Sequence, residues 1–159
     1  MSSSPLSFRN VSMTFPDGTK ALSDVSFDVS KGEFVTIVGP SGCGKSTLLK
    51  IASGLLEATS GEISVDRDRI GYVFQDATLL PWRTVRRNVE LLAELHGYGK
   101  EERAKLATDA IELVGLNGFE NHYPRSLSGG MRMRASLART LTLKPPVFLF
   151  DEPFGAVDE

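Results

Sequence analysis

The stretch Phe34-Val35-Thr36-Ile37-Val38 followed at once by Gly39-Pro40-Ser41-Gly42-Cys43-Gly44-Lys45-Ser46-Thr47 restricts the fold of this chain more than any other. An apolar, β-branched run ending in glycine predicts a buried parallel strand, and residues 39–46 fit the spacing G-x-x-x-x-G-K-[ST]. Glycines at 39, 42 and 44 permit turns closed to residues with side chains, so that successive backbone N–H groups converge into an anion-binding nest. A helix beginning near Gly44 adds its dipole and unpaired amides. In this frame the Lys45 ammonium sits between β- and γ-phosphates, the Ser46 hydroxyl ligates Mg²⁺ and Thr47 bonds the α-phosphate. The alternative is a glycine-rich loop that happens to carry a surface lysine.

The chain of 159 residues, 41% hydrophobic and 24% charged, suffices for one ordinary core. A formal net charge of −2 offers no electrostatic case for a nucleic-acid partner. Cys43, the single cysteine, lies inside the glycine-rich loop and has no partner for an internal disulfide, which fits a reducing compartment. No export signal and no run of about eighteen apolar residues is present, so any membrane connection is expected to run through a partner.

Taken in order, Leu6-Ser7-Phe8, Val11 to Phe15 and Val25 to Val29 alternate apolar with polar around the turn Pro16-Asp17-Gly18-Thr19, predicting an antiparallel hairpin. Phe15 closes its strand beside that turn, where its ring either packs or stacks on a base. Leu48, Ile51, Ala52 and Leu55 recur at helical spacing, with Gly54 as a stop. Gly61 to Val65 and Ile70 to Phe74 read as strands across the charged turn Asp66-Arg67-Asp68-Arg69. The second ends in Gln75, either a solvated strand end or an amide facing a ligand at the sheet edge. Val85, Val89, Leu92 and Ala93, then Ala104, Ala107, Ile111 and Val114, mark two helices of an insertion, the second ending at Gly115. Ser128 caps a helix opened by Gly129 and Gly130 and continued by Ala135, Ala138 and Leu141. That start is a plain capped helix or a second anion site. Val147 to Phe150 is a short apolar strand delivering Asp151 and Glu152. Beside a phosphate loop, Asp151 suits Mg²⁺ and Glu152 is placed to polarise a water for in-line attack.

In combination, Gly39 to Ser46, Gln75, Leu127-Ser128-Gly129-Gly130 and Phe148 to Glu152, in this order, resemble the nucleotide-binding domain of an ABC transporter. The resemblance implies an α/β fold: a P-loop NTPase core with a mainly parallel sheet, an N-terminal antiparallel β subdomain and an inserted α-helical subdomain. One domain is expected, with the β subdomain and core over about 5–75, helices over about 76–143 and a return to the core over 144–159. The resemblance makes Phe15 the adenine-stacking aromatic and gives ATP to Gly39, Pro40, Ser41, Gly42, Cys43, Gly44, Lys45, Ser46 and Thr47. Mg²⁺ falls to Ser46, Gln75 and Asp151, catalysis to Glu152 with Gln75 and Lys45, and the γ-phosphate of ATP on a second copy to Ser128, Gly129 and Gly130.

It also implies partners: a second ATPase subunit paired head to tail, transmembrane permease subunits and, indirectly, a solute-binding protein, with no nucleic acid. The protein would sit on the cytoplasmic side of the inner membrane, held there through the permease. A groove near Gln75 with Leu79, Leu80, Pro81 and Trp82 resembles the surface that receives a permease coupling helix. The details of Gly32 to Val35, Leu79 to Trp82 and Gly129-Gly130-Met131-Arg132 look like the nitrate, sulfonate and taurine importers.

Departures from the pattern are Met131 and Met133, where Gln is usual, and Gly155 in the D-loop-like Gly155-Ala156-Val157-Asp158. The switch histidine that follows in the family is missing, and His96 and His122 both fall in the helical insertion. A truncated cassette with an exposed sheet edge and poor hydrolysis is therefore expected. A non-hydrolysing ATP-binding module and a soluble ABC ATPase unconnected to transport are the alternative readings.

Overall fold

A computed structural model describes residues 4–152, which pack as two compact units meeting in sequence at Ile70 and Gly71. The D-loop-like residues 155–158 lie outside the described residues.

In the first unit β1 (Leu6–Thr14) pairs antiparallel with β2 (Lys20–Val29) on one side and β3 (Ser60–Val65) on the other. Register follows the alternation read from sequence: Phe8 faces Phe27 across one pair and Ile63 across the other. Phe8 and Phe27 stack with ring centroids 4.7 Å apart. The turn forms as expected, with the Phe15 N–H donating to Thr19 O at 2.8 Å and the Gly18 N–H to Phe15 O at 2.9 Å. Leu6, Phe8, Val11 and Met13 of β1 form the buried face.

α1 (Lys45–Ala52) buries Leu48, Ile51 and Ala52. Its end is closed by the Gly54 N–H on Ile51 O at 3.1 Å, with Gly54 left-handed at φ 79°. Leu55 falls beyond that stop and is exposed, so it does not belong to the helical stripe.

The expectation of a buried parallel strand over residues 34–38 is not met. These residues form no strand, and Phe34 and Val38 are 85% and 84% exposed. The reason is that an apolar run becomes a strand only when a neighbour supplies ladder hydrogen bonds and covers its faces. Among the described residues nothing pairs with this run.

The second unit contains a small parallel sheet of β4 (Ile70–Val73) and β5 (Val147–Phe150). Between them in sequence come α2 (Val85–Leu95), α3 (Lys100–Leu113) and α4 (Gly129–Leu141). Their apolar stripes meet in one core of Val85, Val89, Ala107, Ala110, Ile111, Leu116, Leu127, Ala135 and Ala138. Complete burial of a Val or Ile here is worth about 1.5–3 kcal/mol. Met131 packs against this cluster and Met133 is buried, so both methionines of the departed pattern serve packing. Gly71 admits close packing on β4, because a β-carbon there would lie 2.5 Å from Thr140 Cγ2 and 2.7 Å from Pro145 Cγ.

Asn88 is buried although its stripe neighbours are apolar. Its Oδ1 accepts from the Leu80 N–H at 2.7 Å, and its Nδ2 donates to the carbonyls of Leu80, Arg83 and Thr84 at 3.0–3.1 Å. One amide thus ties together the two ends of the loop 80–84, which has no ladder of its own. No helix among the described residues is long and apolar enough to cross a membrane.

Candidate nucleotide-binding site

The phosphate-loop residues belong to the first unit. Gly44 caps α1 at φ 100°, and a β-carbon on it would run into the Ala21 carbonyl oxygen of β2. Only glycine allows both that dihedral and that approach. The first turn of α1 carries no acidic residue, so its positive end is not neutralised by its own carboxylates. Lys45 Nζ bends back over the loop, donating to Gly39 O at 2.6 Å and Pro40 O at 2.8 Å, and lies 3.6 Å from Cys43 Sγ. Gly39 is held close, since a β-carbon there would stand 2.6 Å from Cys43 Sγ. Pro40, Ser41, Gly42 and Cys43 are exposed, whereas Ser46 and Thr47 are half-buried. An ammonium, a helix start and an exposed backbone turn in one place form a receptor for a polyanion. Phe15, half-buried, sits at the end of β1 as its position in sequence suggested.

The acidic residues belong to the second unit. The Asp151 N–H donates to Val73 O at 3.0 Å, which ties the end of β5 to β4. Asp151 is 8% exposed, and its Oδ2 accepts from the Tyr72 hydroxyl at 3.4 Å. Burial pushes the Tyr72 phenol well above its ordinary value and the Asp151 charge adds to the rise, so the hydroxyl keeps its proton to donate. Glu152, one residue on, adopts a left-handed φ of 46° and is exposed. Its Oε2 accepts from Gln75 Nε2 at 3.3 Å. Two adjacent carboxylates are thereby separated, one buried against a phenol and the other outside with an amide.

Ser128 caps α4 as expected, its Oγ accepting from the Met131 N–H at 3.2 Å. Gly129 and Gly130 form the first turn, and a β-carbon on Gly130 would meet nothing within 4 Å. The helix start is therefore open to an incoming group.

Two of the residues expected in a groove near Gln75 are placed by the structure. Leu79 packs against the helical core, while Trp82, 71% exposed, borders a cleft of about 660 Å³. Arg83, Arg86, Arg87, Glu90 and Lys100 line it as well. The cleft is thus largely charged, with Trp82 and Tyr123 as aromatic members, because Leu79 turns to the helical core and charged side chains of α2 line the opening.

Sequence reasoning missed Tyr72 and Arg139. Tyr72 left no signal beyond strand alternation. Arg139 did, since it stands four residues after the buried Ala135 on the face of α4 that faces inward.

The family profile described as ABC transporter matches residues 22–155. This chain belongs to the ABC transporter ATP-binding family. A taurine import ATP-binding protein of Yersinia pestis is 45% identical over 148 residues, covering 89% of this chain and 58% of that protein. A nitrate import ATP-binding protein of Synechocystis is 48% identical over 145 residues, covering 87% and 54%. The chain spans about 54–61% of the length of the curated relatives it matches. Among solved structures, a dimeric ATP-binding cassette in a post-hydrolysis state with ADP and Pi superposes with a TM-score of 0.87 at 37% identity, covering 97% of this chain and 76% of that one. A Clostridium perfringens protein that is part of the ABC transporter complex cbiONQ superposes with a TM-score of 0.87 at 28% identity, covering 98% and 68%. The N-terminal antiparallel sheet, the parallel strand pair and the helical insertion are those of an ABC cassette.

Proposed function

We propose that this ABC cassette binds ATP on the loop Gly39–Thr47 and hydrolyses it to drive solute import through permease subunits, on the cytoplasmic face of the membrane. The observation that carries the reading is the loop itself, where the Lys45 ammonium lies over the backbone turn that opens α1. In this role the loop amides and Lys45 hold the β- and γ-phosphates, Thr47 the α-phosphate, and Phe15 packs against the adenine. Ser46, Gln75 and Asp151 offer a hydroxyl, an amide oxygen and a carboxylate, an all-oxygen donor set of the kind Mg²⁺ takes alongside phosphates. The ion would neutralise charge on those phosphates. Glu152 accepts a proton from the attacking water, and Gln75, already hydrogen-bonded to Glu152, orients it.

Ser128, Gly129 and Gly130 serve ATP held on a second copy, so two chains pair head to tail around the nucleotide. The likeness to taurine and nitrate import proteins supports an importer of the nitrate, sulfonate or taurine type, with a solute-binding protein as an indirect partner. The test pairs two variants of the full-length chain. Lys45→Ala is expected to weaken ATP binding by tenfold or more, about the worth of one charge-assisted hydrogen bond. Glu152→Gln should retain binding and stop phosphate release. Unchanged binding in the first or unchanged turnover in the second refutes the assignment.

A further inference from the structure

Among the described residues, the largest buried polar side chain without a use in this scheme is that of Arg139. It is 9% exposed and lies near the end of α4. Among the described residues no carboxylate pairs with it. Instead, Nη1 donates to Thr78 O at 3.0 Å, and Nη2 donates to Thr78 Oγ1 at 2.9 Å, to Ala77 O at 3.3 Å and to Ser136 Oγ at 3.4 Å. A buried cation held by neutral oxygens alone is costly unless its geometry is needed. What it grips is the strap Ala77-Thr78, two and three residues after Gln75, where Thr78 takes a left-handed φ of 49°. A non-glycine residue persists in that conformation only when its surroundings enforce it.

We propose that Arg139 is a positioning residue for ATP hydrolysis, fixing the strap behind Gln75 so that the amide stays on Glu152. This rests on the assignment of Gln75 and Glu152 above. The same rigid helix begins at Ser128, about 16 Å away at 1.5 Å per residue. α4 thus carries the turn expected to meet the second copy's phosphate at one end and the clamp on this copy's Gln75 at the other. Engagement of the first end is mechanically linked to the geometry of the second, through the two-pronged fork that lysine cannot reproduce.

The experiment is a double-mutant cycle on the full-length chain. Arg139→Lys is expected to lower kcat about tenfold with KM for ATP within twofold of the parent, as a lost orienting contact does. In a Gln75→Ala background the same substitution should have no further effect on kcat. Thr78→Val, which removes only the 2.9 Å side-chain bond, should show a smaller loss that also disappears in Gln75→Ala; it carries the cycle if Arg139→Lys does not fold. If Gln75→Ala lowers kcat but the Arg139 or Thr78 effect multiplies with it undiminished, the positioning role is wrong and the site assignment survives. If Gln75→Ala itself leaves kcat unchanged, the Gln75 assignment fails and the positioning role falls with it.

Discussion

Ser128 separates two readings of one helix start, and the structure allows the difference to be worked out. Its Oγ accepts the Met131 N–H at 3.2 Å and its side chain is exposed. Ser128→Ala removes that cap and should cost about 1 kcal/mol, lowering Tm by about 2–4 °C. Ser128→Asp keeps an acceptor of equal quality and adds a charge that favours the helix N-terminus, so stability should hold or rise. Its effect on pairing is opposite. A carboxylate about 4 Å from a phosphate costs about 4 kcal/mol per contact at an effective dielectric of 20, which is about a thousandfold weaker association. The assay is sedimentation velocity of the full-length chain carrying Glu152→Gln with ATP, beside urea denaturation of the same samples. A Ser128→Asp protein that pairs within twofold of its parent would refute the role of this turn at the second copy's phosphate. A Ser128→Ala protein as stable as its parent would refute the cap.

Two further substitutions probe the scaffold. Gly44→Ala forces a side chain onto φ 100° and against the Ala21 carbonyl; we expect a loss of about 1–3 kcal/mol in denaturant titration together with weaker ATP binding, and no change in either would contradict the geometry. Asn88→Ala strands the Leu80 N–H and removes the donor from the Arg83 carbonyl, while the Leu80 and Thr84 carbonyls keep the backbone N–H groups of Arg83 and Asn88, so about 1–3 kcal/mol of stability should be lost, with faster amide exchange over residues 80–84.

The hairpin, the helical insertion and the cap at Ser128 were legible because each follows from local alternation, spacing or a side chain reaching its own backbone. The juxtaposition of Gln75 with Glu152 came from the family resemblance and not from local pattern, since 77 residues separate them and the pairing of β4 with β5 brings both strand ends together. Residues 34–38 illustrate the opposite case. Their pattern states what the run prefers to bury, but ladder formation belongs to a neighbour that the pattern does not name. Leu79 likewise gave no sign that it packs on the helical core, and the tie between Asn88 and the Leu80 backbone, eight residues apart, is a contact that spacing does not announce.

The knot around Asn88 bears on how this surface meets other molecules. A segment without helix or strand is ordinarily floppy, and whatever docks on it must first freeze it. Here one amide has done the freezing during folding, so the exposed Trp82 indole is presented on a stiff mount. Contact with that ring therefore forfeits little chain entropy, and a small footprint can yield a binding strength that a loose loop of equal area would not reach.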